Sequence, residues 1–272
     1  MDKKQPTYPM NELGRPSGVS IKSPKELDLM REAGQIVGRT LQTLRMSVEP
    51  GMETRELDAI AERDIVSMGG KPAFKGYRGF PATLCVSVNH QIVHGIPGGL
   101  VVQEGDMVSL DLGAIVGGMY GDSAITVVVG EVPEEEQRLL EVCEASLWAG
   151  IEQAKPGARL GDVSAAIQGE VERRGTYGLV REYGGHGIGR ALHEEPFLPN
   201  FGQPNRGLLL RPGMVIAIEP MVNIGGDETK VMGDKRTVVT ADGTRSAHFE
   251  HTVAITEDGP EVLTAVDSTP KA

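Results

Sequence analysis

The sequence predicts an α+β fold in which helices cover one face of a mainly antiparallel sheet. Three observations support this prediction. Amphipathic helical patterns open each half of the chain, apolar β-branched runs follow them, and this order of elements occurs twice. The copies lie about 108 residues apart, which is too long for a solenoid repeat. We therefore expect a pseudo-two-fold arrangement of two related halves, over about 24–131 and 133–259, that meet at a central site.

The first half begins with two predicted helices. One apolar pattern at helical spacing starts at Pro24 and ends near Pro50, and another runs from near Thr54 to Met68. Glycines 117 and 118 then give a hairpin-turn signal between the last two strands of this half. The strands are predicted over 84–88, 91–94, 107–115 and 120–129.

The second half repeats this order. A helical pattern opens at Pro133 and ends at Pro156, and a second follows through Val163 and Val171. The longer spacing between the two strands of this half places its extra residues in the polar stretch 224–246. The strands themselves are predicted over 214–223 and 246–256.

Composition limits the classes of function. The chain has 272 residues and a formal net charge of −11, without a Lys/Arg cluster, so we expect no DNA partner. Two cysteines without a CxxC pair predict neither a disulfide framework nor a zinc finger. We find no signal-peptide region and no long apolar run, so we expect a cytoplasmic protein with no membrane association. We predict an N-terminal tail over residues 1–21 and a single domain over residues 22–272.

Four carboxylates occupy matching places in the two halves. Asp111 ends the run GDMVSLD, as Glu219 ends GMVIAIE, and Asp122 and Glu250 each precede a second apolar run. For one such acid, a solvated or salt-bridged surface carboxylate is the ordinary interpretation. Burying a carboxylate without a counter-charge is costly, because desolvation disfavours its charged form. Four acids in apolar runs at duplicated positions therefore predict a shared cation, and a metal cluster is the obvious one.

A histidine completes the predicted ligand set. His186 lies in the segment GGHGIGRALHEEP (184–196), whose glycines allow close approach of the backbone. One histidine with four carboxylates is an oxygen-rich set, which favours Mn, Fe(II) or Co over a thiolate-type zinc site. Five side chains exceed the needs of one ion, so we expect two divalent metal ions, whether Mn, Fe(II), Co or Zn. Such a pair can lower the pKa of a bridging water and supply a hydroxide nucleophile.

Six short segments carry a resemblance to a known family. They are QIVHGIP (91–97), SLD (109–111), GDS (121–123), GHGIGRALHEEP (185–196), IEP (218–220) and FEH (249–251). In this order they resemble the type I methionine aminopeptidases, metallohydrolases of the pita-bread fold, over about 22–263. The resemblance implies a pita-bread fold and an enzyme that removes the initiator methionine from nascent polypeptides by attack of a metal-activated hydroxide. It also implies a monomer acting on protein N-termini near the ribosome.

The resemblance also implies roles for individual residues. Glu219 would relay a proton, and His193 would stabilise the carbonyl oxygen of the substrate. His94 would contact the substrate backbone and help the leaving nitrogen gain its proton. The ordinary alternatives are a turn residue for His94 and a cap or surface residue for His193. The implied metal ligands are Asp111, Asp122, His186, Glu219 and Glu250.

The implied pocket for the methionine side chain is apolar and partly aromatic, which suits a thioether. Cys85 has no paired base beside it, so a nucleophilic thiol is not expected. Arg236 stands where many relatives carry Trp, and this places the rim of the pocket outside the family's pattern. The residues implied to bind substrate are Tyr77, Phe80, Cys85, Leu192, His94 and His193.

Three alternatives remain beside this interpretation. X-Pro peptidases share the fold and the five ligands, but they usually carry a separate N-terminal domain. A non-enzymatic pita-bread binding protein would have lost ligands, and none of the five is missing. A structural calcium-binding protein would normally show close-set acids such as DxDxDG, which the sequence lacks.

Overall fold

The computed structural model describes residues 18–266. Most of the predicted tail (1–21) and the last residues of the predicted domain therefore lie outside the described residues. The predicted division into a tail and a domain stays a prediction. Helices form where the two halves predict them, and within the described residues they are α1 (Pro24–Ser47), α2 (Thr54–Ser67), α3 (Glu134–Gln153) and α4 (Leu160–Arg174).

The strands within residues 18–266 form three sheets, and all pairs between the named strands are antiparallel. Their bounds are β1 (Lys71–Pro72), β2 (Leu84–Val88), β3 (Gln91–Val93), β4 (Met107–Val116), β5 (Met119–Val128), β6 (Gly178–Leu179), β7 (Gly184–Gly187), β8 (Glu194–Pro199), β9 (Val215–Ile218), β10 (Met221–Asn223), β11 (Thr229–Val231), β12 (Val238–Thr240), β13 (Ser246–His248), β14 (Glu250–Thr256) and β15 (Gly259–Val262).

The main sheet runs through both halves in the order β1-β4-β5-β14-β9-β7-β8, with β2 paired to β4 and β15 to β14. The smaller sheets have the orders β13-β10-β6 and β11-β12-β3. The halves meet where β5 pairs with β14. The predicted α+β class and its antiparallel sheet are confirmed.

Local signals explain how the first helix begins. Ser23 caps α1, and its side chain accepts the backbone N–H of Glu26 while the Glu26 carboxylate accepts the N–H of Ser23. This reciprocal capping satisfies two backbone donors that the first turn leaves without partners. Pro24 occupies the first helical position, where its missing N–H costs nothing. Pro133 precedes α3, so that helix begins one residue later than the sequence pattern predicts.

A tight hairpin joins β4 and β5, as predicted. Val116 pairs with Met119, and the two residues between them, Gly117 and Gly118, have φ values of 57° and 84°. Two consecutive positive φ values are what a two-residue hairpin turn compatible with strand twist requires, and glycine adopts them without strain.

The second half contains an interrupted version of the same hairpin. β9 pairs with β14 and β10 with β13 in one continuous register, and the extra hairpin β11–β12 pairs with β3. The single strands predicted over 214–223 and 246–256 are each divided into two. Glu219-Pro220 lies at the break on one side and Phe249 at the break on the other. Pro220 has no backbone N–H to donate to a ladder, which accounts for the first interruption.

The helices pack on the outer face of the sheet in two matching clusters. α1 and α2 cover β2, β4 and β5, whereas α3 and α4 cover β9, β10 and β14. No helix among the described residues is long and apolar enough to cross a membrane. Fully buried members of the clusters include Val37, Leu57 and Leu110 in the first half, and Leu139, Val163 and Ile218 in the second.

Candidate metal centre

The inner face of the sheet forms the floor of a cavity of about 310 Å³. Strand alternation places the acids there: Leu110 and Leu112 pack among the helices, so Asp111 between them faces the cavity. All five predicted ligands line this cavity. Asp122, His186 and Glu250 are buried, and Asp111 and Glu219 are half-buried.

The two hairpins bring the acids together by register. Asp111 pairs with Ala124 and Asp122 with Gly113, so the two aspartates are diagonal neighbours on one face of β4–β5. Glu250 also pairs with Ala124, from the other side. Thr252 fixes this junction, because its hydroxyl accepts the N–H of Asp122 at 3.0 Å and donates to the carbonyl oxygen of Asp122 at 2.7 Å.

Glycines hold His186 on β7, between β8 and β9. A Cβ on Gly185 would lie 2.2 Å from the carbonyl oxygen of Ala217, and one on Gly187 would lie 2.2 Å from that of Glu195. Any larger residue at either position would force the strands apart. The close backbone approach that the glycine-rich segment predicts is therefore confirmed.

The imidazole of His186 presents a lone pair to the acids. Its Nδ1 lies 2.9 Å from the carbonyl oxygen of Gly187, which can only accept a hydrogen bond, so Nδ1 carries the proton. Nε2 is then unprotonated, and it lies 3.6 Å from Glu219 Oε1 and 4.0 Å from Asp122 Oδ2. A second hydrogen bond that fixes the tautomer in this way is typical of metal-ligating histidines.

The acids repel one another in the absence of a cation. Burial raises the pKa of Asp111 to about 7. Burial and the neighbouring carboxylates together raise the pKa values of Asp122, Glu219 and Glu250 well above their usual range. A bound divalent ion reverses this balance, because it favours the charged form of each ligand.

The donor atoms fit a metal ion. Ligand atoms of Asp122, His186 and Glu250 lie within 4.8 Å of one another. Asp111 Oδ1, Asp122 Oδ1 and Glu250 Oε1 are buried without a hydrogen-bond partner among the described residues. Buried carboxylate oxygens that nothing else satisfies are what a cation site requires. The cluster is therefore a buried Asp/His/Glu site suited to a divalent metal.

The other two predicted catalytic side chains lie beside the cluster. The ring of His193 lies 4.2 Å from that of His186, centroid to centroid, and its Nδ1 is 3.0 Å from the hydroxyl oxygen of Tyr77. Desolvation within the cavity lowers the pKa of His193 to about 3, so its ring is neutral. His94 lines the same cavity and meets the ring of Tyr183 edge-on, with 5.9 Å between centroids.

An apolar wall adjoins the metal cluster. It brings together all four residues predicted to hold the methionine side chain. Cys85 pairs with Asp111 across β2 and β4, and burial, aided by the charge of Asp111, raises the pKa of its thiol. The thiol is therefore protonated and poorly suited to act as a nucleophile. The wall consists of Tyr77, Phe80, Cys85 and Leu192.

The structure adds residues that the sequence does not assign to the site. His248 is fully buried, and its Nε2 lies 3.8 Å from Glu219 Oε2. The only signal for it in the sequence is its place two residues before Glu250. Further lining residues come from segments that carry no recognisable motif: Val231 ends strand β11, and Phe74, Arg78, Tyr183 and Lys235 lie in turns and loops.

Two related halves that place a histidine and four carboxylates at the floor of a cavity define a metal-dependent hydrolase of the pita-bread class. The chain belongs to metallopeptidase family M24, whose family model matches residues 28–257. It is 53% identical over 248 residues to methionine aminopeptidase 1 of Bacillus subtilis (strain 168), covering 91% of this chain and 100% of the relative. The predicted resemblance is confirmed.

Solved structures agree with this assignment. The crystal structure of methionine aminopeptidase from Thermotoga maritima matches with a TM-score of 0.89 and 46% identity, covering 91% of this chain and 100% of that chain. Prolidase from Pyrococcus furiosus matches with a TM-score of 0.73 and 24% identity, covering 91% of this chain and 66% of that chain. At this identity, the likeness to the prolidase shows a common fold.

Proposed function

We propose that this chain is a methionine aminopeptidase that removes the initiator methionine from nascent polypeptides. The proposal depends on one observation: the metal cluster and an apolar wall adjoin each other within one cavity. The floor holds the carboxylates and His186, and the adjoining wall is apolar and aromatic. A thioether side chain fits such a wall, and the wall then brings the first peptide bond of the substrate to the acids.

Asp111, Asp122, His186, Glu219 and Glu250 would hold two divalent ions, as Mn, Fe(II), Co or Zn. When bound, such ions polarise the substrate carbonyl and lower the pKa of a water molecule. The donor set supports this assignment, because Asp111 Oδ1, Asp122 Oδ1 and Glu250 Oε1 are buried and have no hydrogen-bond partner among the described residues.

The side chains around the ligands position protons. The hydroxyl of Tyr77 can donate to Nδ1 of His193, which leaves the proton of the neutral ring on Nε2. That N–H would donate to the carbonyl oxygen as its negative charge develops. Glu219, whose carboxylate oxygens lie close to His186 and His248, would take a proton from the water and pass it on. His94 would support the leaving nitrogen.

The same fold could serve an X-Pro peptidase. The much higher identity to methionine aminopeptidases than to the prolidase favours removal of methionine. The close-packed wall of Phe80, Cys85 and Leu192 also favours it, because it suits a long apolar first residue. We further propose that the enzyme works in the cytoplasm as a monomer and meets nascent chains near the ribosome.

One experiment separates these activities. Protein freed of metal by a chelator is supplied with Mn, Fe(II), Co or Zn in turn and offered Met-Ala-Ser and a Gly-Pro peptide. Release of methionine that depends on the metal supports the proposal. Cleavage of the Gly-Pro peptide alone would assign the chain to the X-Pro peptidases.

Two variants test the division of roles. Asp122→Ala is expected to lose both metal and turnover. His193→Ala is expected to retain metal and to lose about 10²–10³ in kcat. Metal content is measured by atomic emission on the same samples, and near-normal turnover in a metal-loaded His193→Ala protein would contradict the role of His193.

A further inference from the structure

Three cations surround the mouth of the cavity: Arg78, Lys235 and Arg236, which we call the cationic rim. Arg78 lies in the turn that precedes Phe80, and the other two lie in the loop between β11 and β12. Arg78 and Lys235 are exposed and Arg236 is half-buried, whereas the four acids on the floor of the cavity are buried or half-buried. One cavity thus has an anionic floor and a cationic mouth, in a chain whose net charge is −11.

Acidic side chains compensate the rim cations only in part. Among the described residues, none of the three forms an ion pair with a carboxylate, although many other arginines of the chain do. Asp234, in the same loop, caps that loop instead: its carboxylate accepts from the Thr237 hydroxyl at 2.5 Å and from the backbone N–H of Arg236 at 2.9 Å. Hydrogen bonds from Thr237 and Arg236 lower the pKa of Asp234, and the charge of Arg236 adds to this effect. Asp234 therefore offsets part of the Arg236 charge, and Arg78 and Lys235 leave the rim with a net positive charge.

Arg236 is held in place. One guanidinium nitrogen donates to the carbonyl oxygen of Arg78 at 2.7 Å, and the guanidinium carbon lies 5.9 Å from the centre of the Phe80 ring. This bridges the two loops of the rim and leaves the remaining N–H groups of Arg236 for a ligand. A fixed guanidinium loses less conformational entropy on binding a carboxylate than a free one does.

The rim faces the residues that would bind substrate. Arg78 and Arg236 line the same cavity as His94 and His193. Arg78 directly follows Tyr77, whose hydroxyl oxygen lies 3.0 Å from Nδ1 of His193, and Arg236 is bonded to the backbone of Arg78. The two arginines therefore share the cavity with the imidazoles that would bind substrate.

Resting on the function proposed above, we propose that the cationic rim selects peptides with an acidic side chain at the third residue. Methionine occupies the apolar wall, and the second residue lies beside the scissile bond. The chain then leaves through the mouth, where the third side chain is the first to reach the rim. Partly exposed ion pairs of this kind change affinity by about threefold to tenfold in total, and salt weakens them.

The test compares three peptides that differ only in charge: Met-Ala-Glu-Ser, Met-Ala-Gln-Ser and Met-Ala-Lys-Ser. We expect kcat/KM of the metal-loaded enzyme for the Glu peptide to exceed that for the Lys peptide by about threefold to tenfold, and less in about 0.5 M NaCl. The ratio of kcat/KM for the Glu peptide to that for the Lys peptide should fall in Arg236→Gln. It should approach one only in the triple variant Arg78→Gln/Lys235→Gln/Arg236→Gln, which removes all three rim charges. Arg63→Gln is the matched control, because Arg63 is exposed on α2 and does not line the cavity. It should keep the wild-type ratio.

Each result has one meaning. Equal kcat/KM values for the three peptides in the wild-type enzyme would overturn the proposal, since the rim would then merely balance the acids of the floor. A preference for Glu that persists in the triple variant would also overturn it, because residues other than the rim would be responsible. Cleavage of none of the peptides by the metal-loaded enzyme would instead refute the proposed aminopeptidase activity. Circular dichroism and metal content confirm that each variant is folded.

Discussion

A buried ion pair fixes the loop that carries His193. Lys22 Nζ lies 2.9 Å from Glu194 Oε2, and the two side chains are only 2% and 12% exposed. The other oxygen of Glu194 accepts the backbone N–H groups of Arg190 at 2.7 Å and Ala191 at 3.2 Å. The segment before α1 is thereby tied to the loop between β7 and β8. We predict that Lys22→Met destabilises the protein and lowers its turnover.

The loss of stability expected for Lys22→Met depends on the hydrogen bonds that Glu194 retains. Removing one partner of a buried ion pair costs about 3–5 kcal/mol, because the other charge stays buried and unpaired. Glu194 keeps the two amide donors and the hydroxyl of Ser20, which lies 2.5 Å from Oε2. Charged hydrogen bonds offset part of the penalty. We therefore expect the free energy of unfolding of Lys22→Met to fall by about 2–3 kcal/mol.

The assay is urea unfolding followed by circular dichroism in one metal-containing buffer. Lys25→Met is the control, because Lys25 is exposed and forms no ion pair among the described residues. It should change stability by less than about 0.5 kcal/mol. In the double variant Lys22→Met/Glu194→Gln no buried charge is left unpaired, so it should be more stable than the sum of the single variants implies. Additive single effects, or a loss below about 1 kcal/mol in Lys22→Met, would refute this reasoning.

The same pair predicts a dependence on pH. Burial alone would raise the pKa of Glu194, but the hydrogen bond from Ser20 and the charge of Lys22 lower it overall. A carboxyl whose pKa is lower in the folded than in the unfolded state stabilises the fold above its unfolded pKa. That contribution is lost as the pH falls through the folded value. We expect the wild-type protein to lose more stability than Glu194→Gln between about pH 5 and pH 3.

Three further predictions concern the cavity. Gly185→Ala places a Cβ 2.2 Å from a carbonyl oxygen of β9 and should lower the melting temperature, whereas Gly169→Ala, which meets no atom within 4 Å, should not. Tyr77→Phe removes the hydroxyl that bonds His193 and should lower kcat by about twofold to tenfold, and an effect on KM alone would contradict this. Cys85→Ala should retain turnover within about threefold, since its thiol is protonated, and complete inactivity would contradict a purely apolar role.

Local signals predicted most of the fold and the floor of the cavity. The β4–β5 turn depends on two adjacent glycines, and once it forms, the register places Asp111 and Asp122 on one face. The second pair of acids could be inferred by repetition, although the extra hairpin β11–β12 lies between them. Pro220 signals the break in the strand at Glu219-Pro220, because it has no backbone N–H to donate. The apolar pattern nevertheless continues across this break and predicts a single strand.

The mouth of the cavity could not be predicted in the same way. Arg78, Tyr183 and Lys235 lie in loops that are far apart in the sequence and carry no apolar periodicity or metal-ligand spacing. Their meeting depends on the β12–β3 pairing and on the hydrogen bond that Arg236 donates across the rim. Such contacts are decided by tertiary packing, which a local pattern does not encode.

The distribution of backbone strain supports a functional role for this mouth. Among the described residues, five residues other than glycine have a positive φ. Two are asparagines, which tolerate the left-handed region because their short polar side chains bond locally. The other three, Arg78, His94 and Lys235, all line the cavity. Each such residue costs about 1–3 kcal/mol, and glycine would avoid that cost. Long charged or aromatic side chains at these strained positions therefore indicate that the side chains themselves serve a function at the mouth of the cavity.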